Sequence, residues 1–142
     1  MSKSIRKAVV VAMVMGGAAA TPMAASAVPN LCYAEIANIS TVLAYYESVC
    51  AVGADQSCAR LGVEAVPSKK AFLWESDRLG LIGKVNSALG KIAEEKYVGA
   101  AKNLDEIWSK VDTLDTGDAK TKLRADAADA ILAATEAAQG CL

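Results

Sequence analysis

Histidine is absent from this chain. With it go the usual general base, the commonest metal-ligating side chain and every triad that passes a proton through imidazole. The ordinary hydrolases are thereby excluded, and the chain is read as noncatalytic. Aromatic residues make up 5% of the sequence, with one phenylalanine and two tryptophans. They are not interleaved with a basic face, so nucleic acid is not expected as a partner. The four cysteines contain no Cys-x-x-Cys pair, which removes a thioredoxin-like redox centre, and their intervals lack the paired short spacings that gather four thiolates around zinc. Asp112, Asp115 and Asp118 step by three around a turn, whereas a calcium loop needs oxygen ligands at alternate positions and a closing Glu. No metal or cofactor is expected.

What is present begins with an export signal. Lys3, Arg6 and Lys7 form a basic start, residues 8–20 an almost unbroken apolar and small run, and Ala25, Ser26 and Ala27 the small residues of a cleavage site, the plan of a secretory signal peptide. The run is shorter than the about 20 residues of a membrane span. Residues 1–27 are therefore expected to be removed, leaving 28–142 as one periplasmic or extracellular domain with no stable membrane insertion. Of the 15 Lys and Arg, three lie in the leader; the remaining 12 stand against 16 Asp and Glu, a formal charge of −4. That balance also argues against an anionic membrane surface as partner.

Cys32, Cys50, Cys58 and Cys141 all follow the leader, and an even count in an exported chain points to two disulfides. Cys32, Ile36, Ile39, Leu43, Tyr46 and Cys50 step by fours and threes, one face of a helix that starts near Pro29 and Asn30. On such a helix Cys32 and Cys50 lie roughly 27 Å apart, beyond disulfide reach. Of the two remaining connectivities, Cys50 with Cys58 and Cys32 with Cys141 is preferred. Gly53, Ala54 and Asp55 signal a turn inside the short loop, and an up-down four-helix bundle brings the start of its first helix to the end of its last.

Three more helices are expected between Asp77 and Gln139. Ile82, Val85, Leu89 and Ile92 share one face of the first; Ala101, Leu104, Trp108 and Val111 share one face of the second, widened by Ile107 and Leu114; Leu123, Ala127, Ile131 and Ala134 share one face of the third. The alanine-rich last face suits close packing. Gly117 fits the left-handed position after the second helix and Asp118 the cap of the third. A break near Glu95, Lys96 and Tyr97 has no Gly or Pro at the turn; a hairpin there is preferred over one continuous helix to Leu114, whose apolar stripe nothing of similar length could cover. The fold class is thus all-α, a four-helix up-down bundle stapled by two disulfides. Residues 28–76 form the cysteine-bearing helix and a long crossover, and residues 77–142 a three-helix unit.

Gly53, Gly62 and Pro67 interrupt the crossover. Its Phe72 and Trp74 are the candidate partner-binding residues, on the argument that irregular segments on rigid scaffolds carry function; the bland alternative is an aromatic lid over one end of the bundle.

The run from Leu81 to Ala134 bears one resemblance. Lys84 and Val85 precede Asn86, Ala88 precedes Leu89, and Tyr97, Ala101, Asn103, Leu104, Ile107, Val111, Leu114, Lys122, Leu123, Ala127 and Ile131 follow; this pattern resembles the FIMAH-type helical domain, a three-helix unit appended to secreted bacterial adhesins and polysaccharide-active enzymes. Glu95 and Lys96 stand where that family turns through Gly-Asn, and Trp108 replaces a different apolar residue. The resemblance implies a noncatalytic role and names no site residue. Two functions follow as expectations: a secreted module that binds a protein or glycan through its surface, and alternatively a small-molecule carrier whose bundle core is opened by the alanine face and by Gly83 and Gly90.

Overall fold

The computed structural model describes residues 28–47, 60–64 and 68–142. The leader and the proposed Cys50–Cys58 link lie outside these residues. Four helices make up the described chain: α1 (Val28–Tyr45), α2 (Ser68–Ala93), α3 (Tyr97–Thr116) and α4 (Ala125–Cys141). Helix α2 packs on α1 and α3, and α4 packs on α3 and α1, so the four close a ring around one core.

In α1 the expected face is the buried one: Cys32, Ile36, Ile39 and Leu43 are all buried. The helix stops at Tyr45, short of Cys50. Tyr46 lies just past the end and is still buried. Helix α2 begins at Ser68, earlier than Asp77. Its buried positions explain why, since Ala71, Trp74, Arg78, Leu81, Val85, Ala88 and Ile92 recur by threes and fours without a break. Ile82 and Leu89, placed at the centre of this stripe by the sequence, pack at its edge.

The α2–α3 connection is a hairpin, and the chain makes it without glycine. Glu95 takes the left-handed conformation, φ 62°, while the Lys96 amide donates to the Lys91 carbonyl at 2.7 Å and the Glu95 amide to the Ile92 carbonyl at 3.0 Å. Those two bonds are the Schellman pattern that closes a helix C-terminus. Helix α3 buries Ala100, Leu104, Ile107, Val111 and Leu114 and ends at Gly117, φ 82°, as its sequence requires; Ala100, and not Ala101, takes the innermost place.

Helix α4 starts at Ala125, not at Asp118. Residues 118–124 are drawn away from helical geometry by a pairing with the crossover: Val63 and Leu123 form an isolated antiparallel bridge, the Arg124 amide donates to the Gly62 carbonyl at 2.7 Å and the Glu64 amide to the Lys122 carbonyl at 3.1 Å. Gly62 is needed at that junction. Its φ is +76°, and a Cβ there would stand 2.9 Å from the Ala127 Cβ, too close for any side chain. Leu123 is buried as expected, but from an extended segment. Beyond it α4 buries Ala127, Ala128, Ile131, Leu132, Ala133, Ala134, Ala137 and Ala138, small side chains that suit close packing against α1 and α3.

One disulfide is seen among the described residues, joining Cys32 to Cys141 across a Cα–Cα distance of 5.5 Å. It ties the first turns of α1 to the last turn of α4. Such a bond persists in oxidising compartments. No described helix is long and apolar enough to cross a membrane.

Candidate functional site

Phe72 and Trp74 do not share an environment. Both belong to α2, where two residues apart means nearly opposite faces. Trp74 is fully buried, and its indole N–H donates to the Tyr46 carbonyl, one of the acceptors left without an intrahelical partner past the end of α1. It is a core residue that no partner can reach, which corrects its candidacy. Phe72 is 73% exposed. Leu79, seven residues on and hence on the same face, is 55% exposed. The sequence does not single out Leu79 while the crossover reads as irregular; once Ser68–Ala93 is one helix, its i, i+7 relation to Phe72 follows.

The glycines of α2 lie on that outer side too. A Cβ added at Gly80, Gly83 or Gly90 would meet nothing within 4 Å. Gly83 and Gly90 therefore neither open the core nor let a second helix of this bundle approach, contrary to what a carrier would need of them. Exposed glycines in a helix interior each cost about 0.5–1 kcal/mol relative to alanine. Single Gly83→Ala and Gly90→Ala variants are expected to be more stable by that amount in urea unfolding; a loss of stability in either would mean that its face is packed within the bundle.

Around this face the electrostatics are ordinary. Lys110 pairs with Asp77 at 3.2 Å and Lys84 with Glu106 at 3.6 Å, solvated bridges between α2 and α3 that contribute little. Inside the same interface Asn103 is buried; it accepts from Lys91 Nζ at 2.7 Å and donates to the Lys84 carbonyl at 3.4 Å, so its polarity is satisfied. At the other end of the bundle the Tyr45 and Tyr46 rings meet edge to face, 4.8 Å between centroids, and the Arg60 guanidinium sits 5.1 Å from the Tyr45 ring. Burial, and then the Asp126 carboxylate, push the Tyr46 phenol above its ordinary range. The hydrogen bond from Arg124 holds Asp126 below the usual carboxylate range, through contacts of 3.0 and 2.8 Å.

Between α3 and α4, Trp108 Nε1 donates to Glu136 Oε2 at 2.9 Å and Gln139 donates to Asp105 at 2.8 Å. Glu136 is buried, a placement the sequence does not signal, since Asp129 and Gln139 share its side of α4 and assign it to the polar face. Among the described residues no three His, Cys, Asp or Glu side chains gather where they could hold a metal ion. No protein-family model, no curated protein and no solved structure matches this chain.

Proposed function

We propose that the chain is a noncatalytic interaction module, exported by its leader, that meets a protein or glycan partner through the outer face of α2. The observation that carries this reading is the exposure of Phe72 and Leu79 on one helical face, beside glycines that leave the backbone open to close approach. Large apolar side chains held out in water mark interaction sites when they share a face, and a flat glycine backbone between them favours intimate contact. The FIMAH-type resemblance supports the same class of role. An up-down course of the four helices and a second staple, Cys50 with Cys58, complete the proposed architecture, a rigid scaffold that keeps the α2 face in place.

The test uses the mature protein without reducing agent, with a photo-crosslinking residue at position 79, in envelope extracts of the host and on a glycan array. Phe72→Ser with Leu79→Ser is expected to weaken whatever is captured by about tenfold or more, with helical content and unfolding midpoint unchanged. Undiminished capture by the double variant overturns the reading. So does a reproducible extra mass in the native mass spectrum that survives gentle ionisation, which would move the site to the bundle interior.

A further inference from the structure

The outer face of α2 carries a pattern that reads the same after reversal. Phe72, Ser76, Leu79, Gly83, Asn86 and Gly90 step by fours and threes and are all exposed, one stripe along one side of the helix. None of the six is charged. The two large apolar side chains, Phe72 and Leu79, stand in the first half, 73% and 55% exposed. Gly83 and Gly90, where an added Cβ would meet nothing within 4 Å, stand in the second. Phe72 and Gly90 lie nine residues on either side of Leu81, Ser76 and Asn86 five, and Leu79 and Gly83 two. Charge follows the same reversal beyond the stripe. Lys91 reaches to Asn103 on the α3 side and Lys96 pairs with Glu94, whereas Lys69 and Lys70 at the start of α2 and Glu95 just past its end have no ion-pair partner among the described residues. The six stripe positions are exposed with the leader still attached, so its removal takes no cover from them.

We propose that the protein partner of this face is a second copy of the chain, docked antiparallel along α2 about a two-fold axis at the level of Leu81. The inference rests on the reading of the α2 face as the interaction surface and names its partner. A two-fold interface must be complementary to itself. Here Phe72 of one copy falls on Gly90 of the other, Leu79 on Gly83 and Ser76 on Asn86, and each pair is made twice. Large side chains then fill the hollows that glycines leave, and the two helices approach to the short end of the about 8–10 Å range of packed helix axes. At both ends Lys69 and Lys70 of one copy come beside Glu95 of the other, a charge complementarity that fixes the direction of docking. A parallel pair instead sets Phe72 on Phe72 and lysine on lysine. Antiparallel docking also accounts for glycines in a helix interior, where alanine would favour the helix. One helix from each copy supplies fewer residues than the roughly 20–30 a side of a standard interface, so the dimer is a weak one, micromolar rather than nanomolar.

The experiment is sedimentation equilibrium of the mature, disulfide-intact protein from about 1 μM to about 1 mM. The weight-average mass is expected to rise from that of a monomer towards twice that value. Phe72→Ser with Leu79→Ser, and separately Gly83→Leu with Gly90→Leu, are each expected to weaken association at least tenfold. Both are expected to keep the helical content, because these positions face water, and leucine favours a helix over glycine. Direction is read from charge. Lys69→Glu with Lys70→Glu in one preparation, and Glu95→Lys in another, are each expected to associate at least threefold more weakly than wild type, and an equimolar mixture of the two to recover the loss. Register is read from a photoactive phenylalanine analogue at position 72, expected to mark residues 85–91, which begin about 20 Å along the same helix and are reached only in another copy. A protein still monomeric at about 1 mM, a dimer that both double variants leave intact, a mixture no stronger than its components, or marking around position 72 itself overturns the proposal. Its failure is distinct from that of the α2 reading. A monomer whose crosslinker at position 79 captures a different protein or a glycan, with capture lost on changing Phe72 and Leu79, overturns only the second copy as partner; a monomer without such capture overturns the α2 face as well.

Discussion

Replacing Cys32 and Cys141 together with serine is expected to lower the midpoint of thermal unfolding by roughly 20 °C. The bond joins residues separated by 109 positions, and closing a loop of that length removes about 5 kcal/mol of conformational entropy from the unfolded chain in the loop-closure account. For a domain of this size each kcal/mol moves the midpoint by roughly 4 °C. The native state gives no reason to discount the effect, because Cys32 is already a buried member of the α1 face and its position follows from the same spacing that buries Ile36 and Ile39. The measurement is circular dichroism on heating, for the wild type and the double variant, each with and without reducing agent. Reduced wild type and reduced double variant are expected to coincide, since under reducing conditions both lack every cross-link and neither loses core volume. A fall of only a few degrees would mean that packing of α4 between α1 and α3 holds the two ends together in the unfolded ensemble as well, and that the staple constrains little.

The Cys32–Cys141 link is legible in the sequence for a geometric reason: a cysteine at the start of the first helix and another at the end of the last have little freedom in a closed ring of four. The helices themselves are legible where apolar residues recur without interruption, as at Cys32, Ile36, Ile39 and Leu43. Boundaries are less so. The α2 stripe stands out only from Ile82 onward, although the same threes and fours run back through Arg78, Trp74 and Ala71; an arginine in the buried row hides the period, and Arg78 is tolerated there because Glu75 meets it at 2.6 Å. The start of α4 is obscured for a different reason. Asp118 is a good cap by itself, but the backbone of residues 122–124 finds partners in Gly62 and Glu64, and a pairing between segments some sixty residues apart leaves no local signal. The hairpin at Glu95 is a third case, in which tertiary packing imposes the left-handed conformation on a residue that ordinarily avoids it. The candidate site follows the same pattern: Phe72 stands out through its rarity in the composition, whereas Leu79 and the outward glycines depend on how the helices are rotated about their axes.

Trp74→Ala is expected to cost about 4 kcal/mol in urea unfolding, near the upper end of what truncating a core aromatic does, whereas Phe72→Ala, two residues earlier, is expected to stay within about 0.5 kcal/mol of wild type. The difference follows from rotation about one helix axis: Trp74 is fully enclosed and Phe72 is 73% exposed. Trp74 contributes in two ways that can be separated. Its rings fill the space where the start of α2 meets the end of α1, and its N–H satisfies the Tyr46 carbonyl, which has left the helical ladder. Trp74→Phe keeps most of the volume and removes the donor, so its expected cost is about 2 kcal/mol, mainly that of a buried carbonyl without a partner. Amide exchange gives the local counterpart: in Trp74→Phe the last turn of α1 is expected to lose protection before α3 and α4 do, because the bond it loses is the tie between that turn and α2. If Trp74→Phe is as stable as wild type, the carbonyl has another donor and the tryptophan acts by volume alone. If Trp74→Ala costs less than about 1 kcal/mol, the junction of α1 and α2 is not part of the cooperative core, and the rigid placement of the α2 face on which partner binding depends fails with it.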